Sequence, residues 1–559
     1  MLFFPSLLFL AAGLAVDDVI ALPSQKPLAI EPLRPKKLHG RFLHITDIHP
    51  DPHYVQKASE STACHRRKSK KKKNISLYYG TPYSECDSPF ALTNFTLDYL
   101  KESWADEIDF VIWTGDNARH DNDRQIPRTP SEIYDLNRSI ATKMHKLFSS
   151  RGIHVVPSLG NNDIWPHNIL SPGPNSITNE FAQIWSQFIP FPYLQVFQRG
   201  AYYTVEVVPD QLAAISLNTM YFYDSNKVVS GCPFTDPNDP GNLQIDWMEV
   251  QLEMYRKRGM QVWITGHVPP SASNYFPECY VRYAELSLRY QDTIVGHLFG
   301  HMNVDHFFLL DAGDLNAFPK LDSKKGGSGN SKIRGEGTFY DALLEEFSSL
   351  PKSPKMTDYA AVNVAPSVVP NPYLPAFRIF SYNITGASNG APPMVTQRRK
   401  HGEHRNDRNN SASCEHPDYQ KTWRCHLDQP WHSDENSPSR TNQLWTPLGY
   451  AQFFIPALDE ASKNKPPRFE LEYMTYPLDL LHPETTEGAE GEFVYPVPLA
   501  YLPEPLRTPG SKKSKFAPYE MRDLTIPSWI RLARQIADGE RRKLRKRFLK
   551  YMYLGGEAE

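Results

Sequence analysis

The chain has 559 residues, enough for one large catalytic domain with appendages or for two of ordinary size, and its 40% hydrophobic and 12% aromatic content excludes a wholly disordered protein. A formal net charge of −2 excludes a chain-wide field able to hold nucleic acid or another polyanion, so no nucleic-acid partner is expected and any such attraction must be local. The 49 prolines and several polar tracts assign much of the length to irregular surface.

Residues 2–16 form an uncharged apolar run. It falls short of the ~20 residues that a membrane helix needs. Residues 1–22 are therefore expected to be a signal peptide or a short signal-anchor, the one expected contact with a membrane, followed by a Pro-rich linker over 23–40. Two further features fit the secretory route. N-x-Ser/Thr acceptors stand at Asn74, Asn94, Asn137, Asn383 and Asn409. The six cysteines are even in number and lack a CxxC spacing, which favours disulfides over zinc sites, with pairing of sequence neighbours the simplest connectivity.

From Arg41 onward a short apolar, β-branched run followed by a polar loop recurs, predicting strands over 42–45, 110–113, 154–156, 262–264 and 294–299. Runs that are continuous rather than alternating suit strands buried on both faces. Helical spacing lies between them: Leu92, Phe95, Tyr99 and Leu100; then Ile140, Met144, Leu147 and Phe148; then Trp247, Val250 and Met254, closed by Arg256, Lys257, Arg258 and Gly259. Strand alternating with helix indicates an α/β sandwich. A catalytic domain is expected over 41–318, with a flexible Lys-, Gly- and Ser-rich insertion at 319–338 and its completion over 339–393. A polar insertion at 394–442 and a C-terminal region over 443–559 follow. Strand-like pieces at 377–382, 451–455 and 469–474 predict a small β-rich C-terminal part.

Two basic runs stand out. One holds Arg66, Arg67, Lys70 and Lys71 within 66–73, and the other covers 541–550. Each reads either as a solvated, protease-accessible stretch or as a dock for an anionic substrate.

The informative residues follow the predicted strands: Asp47 and His49; Gly115, Asp116 and Asn117; Gly160, Asn161, Asn162 and Asp163; Gly266 and His267; Gly300, His301, Met302 and Asn303. Ligands of open α/β sheets bind beyond the carboxyl ends of strands, where loops converge on a rigid frame. Any one of these groups alone is an ordinary turn. Five in succession, each with a carboxylate, amide or imidazole, make a metal-ligand set.

These motifs resemble those of the calcineurin-like metallophosphoesterases, in the branch of acid sphingomyelinases and, more closely, fungal vacuolar endopolyphosphatases. The stretch 45–54, the Gly-Asn-Asn-Asp variant and Gly-His-Met-Asn are similar to the latter. The resemblance covers roughly 41–311, more weakly 366–382, and implies a double-sheet α/β sandwich with a dinuclear centre. One divalent ion would be held by Asp47, His49, Asp116 and Asn303, the other by Asp116, Asn161, His267 and His301, with Asp116 bridging. Two ions ~4 Å apart share a hydroxide and clamp a phosphoryl group during in-line attack. The implied function is endopolyphosphatase, a hydrolase acting on internal phosphoanhydrides of polyphosphate. The implied location is the vacuole, either lumenal or anchored as a single-pass type II protein, with vacuolar proteases as processing partners.

Two positions depart from the wider family, which usually has histidine where Asn162 and Asn303 stand. An amide oxygen at 303 is a harder ligand and favours Mn, Mg or Co over Zn. An amide at 162 removes an acid and leaves His120 as the remaining proton donor. An expelled phosphate chain needs little protonation, so the variant favours an anhydride substrate. A sphingomyelinase-like phosphodiesterase and a catalytically weak metal-binding scaffold are the alternatives.

Overall fold

Apolar runs in this chain are covered on both faces, and the computed structural model, which describes residues 37–67, 74–316, 338–387, 412–427, 432–482, 496–510 and 513–556, places them in two packed sheets. The strands in chain order are β1 (Arg41–Ile45), β2 (Pro50–Asp51), β3 (Ser88–Pro89), β4 (Phe110–Trp113), β5 (His154–Pro157), β6 (Tyr203–Val208), β7 (Leu212–Ser216), β8 (Gln261–Thr265), β9 (Ile294–Phe299), β10 (His306–Asp311), β11 (Tyr359–Val364), β12 (Ala376–Tyr382), β13 (Pro447–Phe454) and β14 (Glu470–Met474). The helices are α1 (Phe90–Ser103), α2 (Pro130–Leu147), α3 (Ser176–Ile184), α4 (Leu194–Gly200), α5 (Pro240–Lys257), α6 (Pro277–Arg289), α7 (Ala312–Asn316), α8 (Phe339–Ser348), α9 (Ile526–Ala537) and α10 (Arg542–Met552). None is long and apolar enough to cross a membrane among the described residues. The whole arrangement lies in the unit Leu38–Glu559.

One sheet has the order β14-β13-β12-β1-β4-β5 and the other β10-β11-β9-β8-β7-β6. Each has a parallel part: β1-β4-β5 forms one side of the first sheet, next to antiparallel β12, and β7-β8-β9-β11 forms the centre of the second, flanked by antiparallel β6 and β10. The β-rich C-terminal part takes the form of β13 and β14 at the edge of the first sheet. Between the layers, Phe42 of β1 stacks on Phe110 (4.6 Å) and Phe380 (5.0 Å), and Trp263 of β8 meets Phe42 edge-on at 5.0 Å. Burying a side chain the size of Phe42 contributes about 1.5–3 kcal/mol. Gly296 on β9 makes room for this contact, because a Cβ there would sit 2.5 Å from the Trp263 ring.

Helix ends follow local chemistry. Thr129 caps α2 by accepting from Glu132 N, with Pro130 opening the first turn, and Asp239 caps α5 by accepting from Gly241 N and Asn242 N. The α5 stripe expected from Trp247, Val250 and Met254 is on the wrong face. Ile245, Met248, Leu252 and Tyr255 are buried instead, and Val250 is 63% exposed. The buried line also includes Gln244 and Gln251, which breaks the apolar count on that face.

The three disulfides join sequence neighbours, Cys64–Cys86, Cys232–Cys279 and Cys414–Cys425. The described part of the polar tract is docked: Trp423 donates Nε1 to Cys232 O (2.8 Å), and Arg424 pairs with Glu278 of α6 (2.9 Å). Most of the expected insertion at 319–338, the leader at 1–22, Lys70, Lys71 and Asn409 lie outside the described residues. Asn74 and Asn94 are exposed and Asn383 is half-buried. The glycosylation expectation at Asn137 is corrected: it is fully buried in α2, and its Nδ2 donates to Asp163 Oδ1 (3.0 Å) and Ile133 O (3.1 Å), leaving no room for a glycan.

Candidate metal centre

The parallel strands of both sheets deliver their following loops to one place. Backbone bonds interlock these loops: Asp47 N donates to Gly115 O, His49 N to Asp116 O, Val369 N to Asp47 O and Gly300 N to His267 O. The approach is close enough to require glycine at two positions. A Cβ on Gly160 would lie 2.0 Å from Asp116 Oδ1, and one on Gly300 2.6 Å from Asp47 Oδ2.

Asp47, His49, Asp116, His301 and Asn303 all have left-handed backbone, with φ of 50, 41, 59, 72 and 56°. Such residues cost about 1–3 kcal/mol each and persist where surrounding structure imposes them. The loops are thus shaped to aim side chains.

Their donor atoms converge. His49 Nε2 has no hydrogen-bond partner and faces Asp116 Oδ2 at 3.4 Å and Asp47 Oδ1 at 3.5 Å. His267 Nε2 lies 2.8 Å from Asn161 Oδ1 and 3.2 Å from Asp116 Oδ2, and His301 Nδ1 points at the same Asn161 oxygen from 2.9 Å. Asn303 donates Nδ2 to Asn371 O (2.8 Å), which leaves its buried Oδ1 without a partner. Six of the expected ligands, Asp47, His49, Asp116, Asn161, His267 and His301, are therefore brought together, with Asn303 two residues beyond His301, and these convergent groups fit a cation pair. Outer partners fix the rings, as metal-binding imidazoles require: His49 Nδ1 donates to Ala118 O and His267 Nδ1 to Thr114 O, each at 2.7 Å. Asn161 Nδ2 donates to Asn168 Oδ1 (2.9 Å), turning its oxygen inward.

Charges bear the same mark. Burial opposes protonation of His49, yet Asp116, Asp47 and Asp87 lift it to about 9, and Asp116 with Asp47 lifts the equally buried His267 to about 9. Burial and then His267 push His301 down to about 4. Protons here offset carboxylates that a metal cation would otherwise neutralise.

Asn162 is committed to Asp116, donating N to Oδ1 and Nδ2 to Oδ2, each at 2.8 Å. It orients that carboxylate. His120 stacks on His49 at 3.9 Å, and its Nδ1 donates to Asp87 Oδ1 at 2.7 Å. Asp87 was not among the expected residues. Burial would raise its carboxyl, but His120 and His49 hold it at about 2. It follows Cys86 directly, and that cysteine was the only local signal. His167 was also missed; its Nε2 sits 3.0 Å from Asn161 Nδ2, and burial and Arg128 push it down to about 4. Beneath the centre, Asp163 accepts from the backbone N of Asp116, Asn117 and Gly160.

The basic run near the start is corrected in part. Arg66 grips Asp123 with both terminal nitrogens, while His65 bridges Asp123 and Asp51 at 2.8 Å each, so Arg66 is spent on structure. Arg67 is exposed.

Comparison with known proteins follows these features. The calcineurin-like phosphoesterase family matches residues 40–305. An endopolyphosphatase of Cryptococcus neoformans is 40% identical over 94% of this chain and 92% of its own. One of Schizosaccharomyces pombe is 32% identical over 90% and 84%, and one of Neurospora crassa is 39% identical over 67% and 58%. By relationship over nearly its whole length, the chain belongs to the endopolyphosphatases, within the calcineurin-like phosphoesterases.

Proposed function

We propose that the chain hydrolyses internal phosphoanhydride bonds of inorganic polyphosphate, using two divalent ions held by Asp47, His49, Asp116 and Asn303 and by Asp116, Asn161, His267 and His301. When bound, the ions supply Lewis acidity and an activated water at neutral pH. The observation that carries the reading is the near full-length relationship to endopolyphosphatases in a chain whose donor set is complete. Mn, Mg and Co suit the oxygen-rich pocket at Asn303 better than Zn.

The protein's own groups do the rest. Asn162 fixes the orientation of Asp116, the carboxylate that would serve both ions, and the left-handed loops keep the donors aimed before substrate arrives. Asp87 accepts the Nδ1–H hydrogen bond of His120, so that in the imidazolium form Nε2 carries the proton given to a leaving oxygen, after which the imidazole keeps its Nδ1–H. A departing phosphate chain makes little demand on that donor, so the amide at 162 costs such a substrate little. Three disulfides suit an oxidising compartment, and the vacuolar lumen is the location proposed.

Gel electrophoresis of long polyphosphate, incubated with the purified chain and Mn, tests the reading. Intermediate lengths early in the reaction are expected. Release of orthophosphate alone from full-length substrate would contradict an internal cut.

A further inference from the structure

The C-terminal helix α10 carries an arrangement that local physics disfavours. Arg541, Arg542 and Lys543 stand at its positive end, where the helix dipole favours anions. Arg542 with Lys546, Lys543 with Arg547 and Lys546 with Lys550 are like charges four apart on one helix, each pair repelling. Arg542, Lys543, Lys546, Arg547 and Lys550 are exposed and have no salt-bridge partner among the described residues. Arg545 is different: it caps the end of α9, donating to Ile536 O and Ala537 O. In a chain of net charge −2, seven of the ten residues 541–550 are cationic.

The helix also has a place. Arg531, Arg541, Arg542, Lys543 and Arg547 line a cavity of about 670 Å³ between α9 and α10, with Glu520 and Glu540 also lining it. At the other end, Asp305 N donates to Met552 O (3.0 Å), two residues beyond Asn303. Tyr553 meets Tyr373 at 5.3 Å, close in sequence to the Asn371 that holds Asn303. Eleven residues of helix span roughly 16 Å. The basic face therefore begins at the cavity, on a helix whose other end abuts the chain two residues beyond Asn303.

We infer that the exposed basic face of α10 is a docking surface for the distal part of a long polyphosphate chain, an inference that rests on the substrate proposed above. A polyanion relieves both the dipole conflict and the like-charge repulsion, and a chain tethered on the same molecule raises the local concentration of cleavable bonds. Short substrates do not reach it.

The test compares the full-length chain with the triple variant Arg542→Gln, Lys543→Gln, Arg547→Gln, with Mn present, on long polyphosphate and on tripolyphosphate at several NaCl concentrations. KM for the long chain should rise on the order of tenfold and lose part of its salt dependence, with tripolyphosphate kinetics unchanged. Removing like charges should not lower Tm. Equal KM in parent and variant on long chains would overturn the inference. So would loss of binding to phosphatidylserine vesicles with polyphosphate kinetics unchanged, which would make the face a lipid contact. Calorimetric titration of both proteins with long polyphosphate separates the two readings: weaker binding by the variant supports the dock even where the parent shows no turnover, and equal binding overturns it.

Discussion

Two buried charged clusters sit close together in sequence and differ in kind. One is the metal centre. The other begins at Asp305, which pairs with Arg378, accepts from Gln452 Nε2 (2.9 Å) and from Tyr473 OH (2.6 Å), and lies beside Glu472. Arg378 also donates Nε to Gln452 (2.8 Å) and stacks over Tyr450 at 4.5 Å. The side chains of this second cluster come mainly from strands β12, β13 and β14, and each carboxylate has at least one donor, with Glu472 Oε1 and Arg378 Nη1 left over. In the metal centre, imidazole nitrogens and carboxylate and amide oxygens, all groups able to ligate a cation, converge on one another from loops bent into left-handed backbone. A buried charge that is satisfied holds the fold; buried donors left aimed at one another await a ligand.

Substitution at each cluster separates these roles. The largest effect is expected for Asp116→Asn, which should reduce turnover to background while leaving Tm nearly unchanged; retained kcat with bound metal would break the assignment. Arg378→Met should do the reverse. It strands Asp305 and should cost about 3–5 kcal/mol of stability in a denaturant titration, with kcat per folded molecule preserved. A large kcat loss with stability intact would join the two clusters functionally.

A smaller effect separates proton donation from positioning within the centre. His120→Ala should slow an alkyl phosphodiester by ~10²–10⁴-fold and polyphosphate much less, because the leaving groups differ in basicity. Asp87→Asn should follow the same pattern more weakly. Equal losses on both substrates would make His120 a positioning residue.

The smallest effect concerns stability with pH. Burial, then Asp314 and Asp311, pushes Glu346 of α8 up to about 8 from 4.5. The folded carboxyl keeps its proton where the unfolded one has lost it, so this contribution is complete below about 4.5 and lost as pH rises through about 8. Glu346→Gln should raise Tm at pH 8 by a few degrees and leave it unchanged at pH 4. Parallel curves for the two proteins would contradict the assignment.

The centre was legible because each ligand follows a strand whose apolar run is continuous, so that Asp47, Asp116, Asn161, His267 and His301 could be placed from order along the chain. Asp87 was not legible: it follows Cys86, and only the fold of the loop closed by Cys64–Cys86 brings it to His120. Strands β7 and β11 were missed because they are rich in alanine, a poor strand former, and are held by the sheets they complete. Asn137 shows the limit of a motif: the triplet suits a glycan, but the helix turns it inward to Asp163.

Under the proposed function, loops from both sheets would hold a pair of cations that share Asp116. This claim is tested most directly by counting divalent ions per chain after equilibration with Mn and removal of free metal, in the parent and in Asp116→Asn. Two per parent chain and a loss of both in the variant are expected, since each proposed site shares that carboxylate. Two ions retained by a well-folded Asp116→Asn protein would contradict it.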